Sequence, residues 1–112
     1  MYFESLDCIY QIFGKYAFRK ISKIRQKDLK PINTALFEGW LNGVSNLSQA
    51  ERALLIQKKD DVKNLYIEEL DKKSSFYSDL GSGKYRSFIR RNETIQKIIS
   101  EVLNENRQVT VG

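Results

Sequence analysis

Apolar residues recur along this chain at steps of three and four, in segment after segment, and that spacing limits the fold more than any other feature. Phe3, Leu6, Tyr10, Phe13 and Ala17 form the first such set, with Ile9 and Tyr16 flanking it. Steps of three and four bring side chains to one face of an α-helix, whereas a half-buried strand needs strict alternation. No alternation of Val, Ile or Thr between turn residues occurs elsewhere, so strands are not required. The pattern predicts an all-α fold, a helical bundle of about four main helices joined by short connections.

The first helix is expected from Tyr2 to Lys15. Gly14 weakens its continuation, and Lys30 precedes the only proline, Pro31, which biases its backbone away from helix. Residues 15–31 therefore read as a basic connector. The period restarts with Ile32, Ala35, Leu36, Trp40, Gly43, Val44 and Leu47, and Asn33 can cap that start. Gly39 and Gly43 each cost about 1 kcal/mol of helix propensity relative to Ala, so a close neighbour along their shared stripe is the expected reason for them. Ser48 and Glu51 fit a capping box. From Gln49 the pattern continues through Leu54, Leu55, Val62, Leu65, Tyr66 and Leu70, with Gln57 to Asp61 forming either a solvated face or a kink. A small polar loop from Ser74 to Gly83 follows, pinned by Phe76 and Tyr77. A last helix is expected over 84–104, with Tyr85, Phe88, Asn92, Ile95, Ile99 and Val102 on its stripe and a frayed tail at 105–112.

The chain's 112 residues suffice for one domain, taken as 1–112. Hydrophobic residues at 41% and charged residues at 29% give a globular balance. The sequence has no histidine, which removes imidazole general bases, histidine triads and every His-containing zinc site. A single cysteine, Cys8, allows no internal disulfide and fits a reducing cytoplasm. No apolar run approaches the roughly 20 residues of a membrane helix, and Glu4 and Asp7 interrupt the N-terminus where a signal peptide would be apolar.

The formal net charge is +5 and the pI about 9.4, but the excess is local. Lys15, Arg19, Lys20, Lys23, Arg25, Lys27 and Lys30 face a single acid, Asp28. Arg86, Arg90 and Arg91, preceded by Lys84, form a second group. These ten residues, Lys84 aside, are the candidate contacts for a nucleic acid or a protein partner, because clustered cations release counterions from a polyphosphate. The plain alternative is a solvated face.

Catalytic patterns fail on inspection. Gly81-Ser82-Gly83-Lys84 has the small residues of a phosphate loop, but Ser78 stands in place of the first glycine and Tyr85 in place of the metal-binding hydroxyl. Asp61, Asp71 and Lys73 match the acids and lysine of metal-dependent nucleases only on a helical pattern, where a solvated face is the simpler reading. Cys8 reads as a packed small residue. Trp40 and the aromatics Phe3, Tyr10, Phe13, Phe37, Phe76 and Phe88 have core spacing, although aromatics of this kind also stack on bases. No cofactor is expected.

One pair of strings carries more information: Phe13-Gly14-Lys15-Tyr16-Ala17-Phe18-Arg19, then Pro31-Ile32-Asn33-Thr34-Ala35-Leu36-Phe37-Glu38-Gly39-Trp40. It resembles the C-terminal helical region of the GmrSD-type DNA restriction family. Tyr85-Arg86 and the run from Ile98 to Leu103 agree with that region, so the resemblance covers almost the whole chain. Complete members look like phage-defence proteins whose N-terminal ParB-like domain carries an Asp-Gly-Gln-Gln-Arg motif and whose partner domain carries an HNH nuclease. Neither motif occurs here, so the resemblance transfers no catalytic residue. Arg19, Asn33, Phe37, Glu38 and Trp40 match the helical pattern, and an Arg19–Glu38 pair is a candidate brace for the connector. The expectation is a non-enzymatic bacterial interaction or scaffold module whose partner is a ParB-like domain or a neighbouring gene product. The alternative is a small basic protein with non-specific DNA or RNA affinity, and a homo-oligomer is a further option.

Overall fold

The computed structural model describes residues 2–21, 30–71, 76, 80–81 and 83–111. Five α-helices lie among them: α1 (Tyr2–Phe13), α2 (Thr34–Ser45), α3 (Gln49–Gln57), α4 (Lys59–Asp71) and α5 (Tyr85–Val111). The only strand-like pairing among these residues is an isolated bridge between Arg19 and Ile32. The all-α reading holds, and the radius of gyration, 13.6 Å, matches the value of about 13 Å for one compact domain of this length.

The helices begin where their caps direct. The Asn33 side chain accepts the Leu36 N–H at 3.1 Å, which starts α2. Ser48 accepts the Glu51 N–H while the Glu51 carboxylate accepts the Ser48 N–H, so the capping box at α3 is complete. α1 stops at Phe13, two residues short of expectation, because Gly14 turns to φ +58° and opens a 3₁₀ turn over Gly14–Tyr16. The long third helix is two helices meeting at Lys58, whose φ and ψ of −101° and 31° leave the helical range. The break is one residue wide. The bonds from Lys58 N–H to Leu54 O and from Val62 N–H to Lys58 O cross it, so the charged stretch makes a kink that leaves both Leu55 and Val62 buried. α5 runs on to Val111 rather than ending near Asn104, since no Gly or Pro precedes Gly112 to stop it.

At the centre, Phe13, Trp40, Tyr66 and Phe76 meet edge to face. Phe13 lies 5.1 Å from Trp40 and 5.4 Å from Tyr66, with Phe76 6.2 Å from Tyr66. This is the favoured aromatic geometry, and it joins α1, α2 and α4. α5 closes the core with Ile95, Ile98, Ile99 and Val102. It packs against α2 where the glycines permit it. A Cβ on Gly39 would lie 2.5 Å from Ile95 Cδ1, and one on Gly43 would lie 2.8 Å from Ile99 Cδ1. Stepping from Gly39 to Gly43 thus advances from Ile95 to Ile99, so α2 and α5 run parallel. The expected close neighbour of the glycine stripe is α5, with Asn92 facing Gly39.

Candidate functional site

The connector is where sequence chemistry and unusual backbone coincide. After the 3₁₀ turn, Phe18 sits at φ +61°, a left-handed conformation uncommon for a bulky residue. Its ring is buried, 5.9 Å from Tyr10 and 4.8 Å from Phe37, and its carbonyl accepts the Asn33 N–H at 2.8 Å. Burial and this bond offset a backbone cost of about 1–2 kcal/mol. The next carbonyl, that of Arg19, accepts the Tyr66 hydroxyl at 2.7 Å, which ties the connector to α4. Asn33 also donates from Nδ2 to Leu80 O at 3.1 Å. One asparagine therefore joins the connector, the start of α2 and the segment before α5.

The described basic candidates differ in burial and in what they touch. Lys23, Arg25 and Lys27 lie outside the described residues. Lys15 is exposed, with its ammonium over the Tyr16 ring at 5.4 Å. Arg19 donates to Lys30 O at 2.5 Å rather than pairing with Glu38, so its guanidinium clasps the two ends of the connector. Lys20 and Lys30 are half-buried. Arg91 is only 9% exposed, with its guanidinium over the Phe88 ring at 5.1 Å. It lines a shallow, open cleft of about 460 Å³ with Asn33, Glu38 and Leu80. Arg86 and Arg90 are exposed on α5.

The aromatics divide in a way their spacing does not foretell. Phe13, Trp40 and Phe76 are core, as expected. Phe3, Tyr10, Phe37 and Phe88 are exposed instead, Phe3 to 88% and Tyr10 to 51%, and Tyr85 is 75% exposed. In the first turns of α5 it is Ser87 and Arg91 that turn inward. On α5, with Gly39 opposite Asn92 and Ile95, the start of α2 at Thr34 reaches back only to about Phe88, and Tyr85 lies beyond it.

The catalytic alternatives stay apart. Asp61 and Asp71 are exposed near opposite ends of α4, and Lys73 and Ser82 lie outside the described residues. No group of three metal-ligating side chains occurs among the described residues. Cys8 is buried, its Sγ 3.8 Å from Arg52 O, and burial pushes its thiol up to about 11, away from a reactive thiolate. Burial also raises the Tyr66 phenol well above its ordinary value. No described helix is long and apolar enough to cross a membrane. The chain matches no family model, no curated protein and no solved structure.

Proposed function

We propose that this chain is a non-catalytic helical interaction module that docks a protein partner on the aromatic patch centred on Phe18. The observation that carries the reading is the exposure of Tyr10 and Phe37 on either side of a buried ring held at positive φ, with exposed Ile32 across the Arg19 bridge. Large apolar groups grouped around a fixed, strained backbone are what a docking surface requires, and strain of this kind clusters at functional sites. The resemblance to the GmrSD-type helical region supports a ParB-like domain or a neighbouring gene product as partner, in a bacterial cytoplasm and in phage defence. The residues Phe18, Arg19, Ile32 and Phe37, which build the patch, fall within the two strings that carry the resemblance.

The test supplies a ParB-like domain bearing Asp-Gly-Gln-Gln-Arg in trans and follows complex formation by light scattering after size exclusion. A one-to-one complex is expected, lost in the folded Tyr10→Ser/Phe37→Ser double variant. A complex indifferent to both substitutions refutes the patch. As a module without chemistry of its own, the chain leaves nucleoside triphosphates and DNA intact in Mg²⁺. Turnover abolished by Asp71→Asn overturns that part.

A further inference from the structure

The opening turns of α5 carry a second exposed surface with a chemistry of its own, adjoining the Phe18 patch through the cleft that Ile32 and Arg91 line. We propose that this surface binds single-stranded nucleic acid, with Tyr85 stacking on a base and Arg86 and Arg90 meeting the flanking phosphates. The proposal does not rest on the protein-docking reading.

Three observations carry it. First, the Tyr85 and Phe88 rings lie 6.5 Å apart with only 14° between their planes. The core aromatics meet at 65° to 79°, which fills space. A nearly parallel pair that is 75% and 39% exposed instead offers flat faces to solvent, the platform on which unpaired bases stack. Second, the residues that flank those rings along the sequence are cationic, while Glu38 shares the cleft that Arg91 lines. Lys84, Arg86, Arg90 and Arg91 occur without an acid before Glu93, and the first turn of α5 contains no acid either. The helix N-terminus adds positive potential at the same end. Arg91 lies inward over Phe88, while Arg86 and Arg90 are exposed, Arg90 also donating to the Ser87 hydroxyl at 3.5 Å. Third, the α2–α5 register leaves Tyr85 beyond the start of α2, so this face has no helix from the described body above it.

An occupant must be anionic and planar together. A second copy of this chain fails the first requirement, since a symmetric contact would bring Arg86 and Arg90 against their own equivalents. A duplex fails the second, because its bases are already stacked and reaching them costs unpairing energy. A single strand supplies both.

The test is fluorescence anisotropy of the full chain with labelled oligo-dT, the matching duplex and a poly-glutamate peptide, each across a salt series. The expected result is micromolar binding of oligo-dT and weaker binding of the duplex. Tyr85→Ala should weaken oligo-dT by about 5- to 150-fold, the stacking contribution of one base, and leave the duplex unchanged. Tyr85→Phe should retain oligo-dT binding. The Arg86→Gln/Arg90→Gln variant should lower the log–log salt slope for oligo-dT by about 1.4, two phosphates at about 0.7 each. All three variants keep the native far-UV spectrum, because none of these side chains is core. Equal losses on single strand and duplex with Tyr85→Ala, or no loss at all, overturn the proposal. Poly-glutamate binding as tight as oligo-dT overturns it in favour of an acidic protein segment.

Discussion

Replacing Gly39 by Ala tests the parallel packing of α2 on α5 directly. The added Cβ would lie 2.5 Å from Ile95 Cδ1 and 3.3 Å from Asn92 Oδ1. Ordinary contact begins near 3.4 Å, so the Ile95 methyl must retreat by about 1 Å inside a close-packed interior. Ile95 is fully buried, and overpacking of this kind costs about 1–3 kcal/mol. Ala regains about 1 kcal/mol of helix propensity over Gly, so Gly39→Ala alone should range from neutral to about 2 kcal/mol destabilising. Ile95→Val removes the obstructing Cδ1 and should cost about 0.5–1.5 kcal/mol alone. In the double variant the new methyl takes up the vacated space. Its stability in urea melts followed by far-UV circular dichroism should exceed the sum of the singles by about 1–3 kcal/mol, the propensity term cancelling from the cycle. A control uses the neighbouring turn: Gly43→Ala should couple to Ile99→Val, whose Cδ1 it would meet at 2.8 Å, and only weakly to Ile95→Val, which keeps the Cγ2 atom 3.5 Å away. Additivity within about 0.5 kcal/mol for Gly39 with Ile95 refutes the packing argument.

Asn33→Asp keeps the cap acceptor for Leu36 but loses the donor to Leu80 O, whereas Asn33→Ala loses both; the Ala variant should cost about 1–2 kcal/mol and the Asp variant less in global stability, with faster amide exchange near Leu80 as its signature. Tyr66→Phe leaves the Arg19 carbonyl without its 2.7 Å donor and should cost about 1–3 kcal/mol, read from denaturant midpoints; a neutral result means water reaches that carbonyl. Ser48→Ala should cost about 1 kcal/mol through the lost cap, and an unchanged midpoint would contradict the capping box. For Cys8 the sign follows from a folded-state value raised from 9.0 to about 11: its contribution to stability is complete below about pH 9 and is lost as pH climbs towards 11. At pH 9 the native thiol should alkylate at least about 50-fold more slowly than the unfolded one on thiolate fraction alone, and comparable rates would disprove its burial.

Much of the fold is legible in the sequence because its signals are local. Asn33 and Ser48 start α2 and α3 through bonds that reach only three residues along the chain. The glycine stripe announces a close neighbour, since Gly in a helix has a cost that only packing offsets. What periodicity does not encode is how far the neighbour extends. Tyr85 and Phe88 share the stripe of Ile95 and Ile99, yet α2 ends its reach near Phe88, and the inward positions there go to Ser87 and Arg91. On α1 the buried face is Ser5, Cys8, Ile9, Ile12 and Phe13, turned away from the predicted stripe through Phe3 and Tyr10. Charge runs are equally mute about direction: Arg19 spends its guanidinium on Lys30 O and Arg91 lies against Phe88, and no spacing rule separates these from the outward Arg86 and Arg90. Phe18 at positive φ has no sequence signal, because nothing marks a phenylalanine as left-handed until its pocket is assembled.

The parallel pairing of α2 with α5 has a consequence for how the chain is made. Gly39 and Ile95 touch across more than fifty residues, and the intervening α3 and α4 carry the chain back before α5 can run alongside α2. Contacts this distant in sequence slow folding, because the loop must close before they are gained. During synthesis the N-terminal two-thirds would therefore hold Leu36, Trp40 and Val44 without the surface that completes their burial, and nascent chains stalled before Ile95 should be cleaved readily by protease. Protection should appear in one step as Ile95 to Val102 leave the ribosome, making the last helix the timing element of the whole domain.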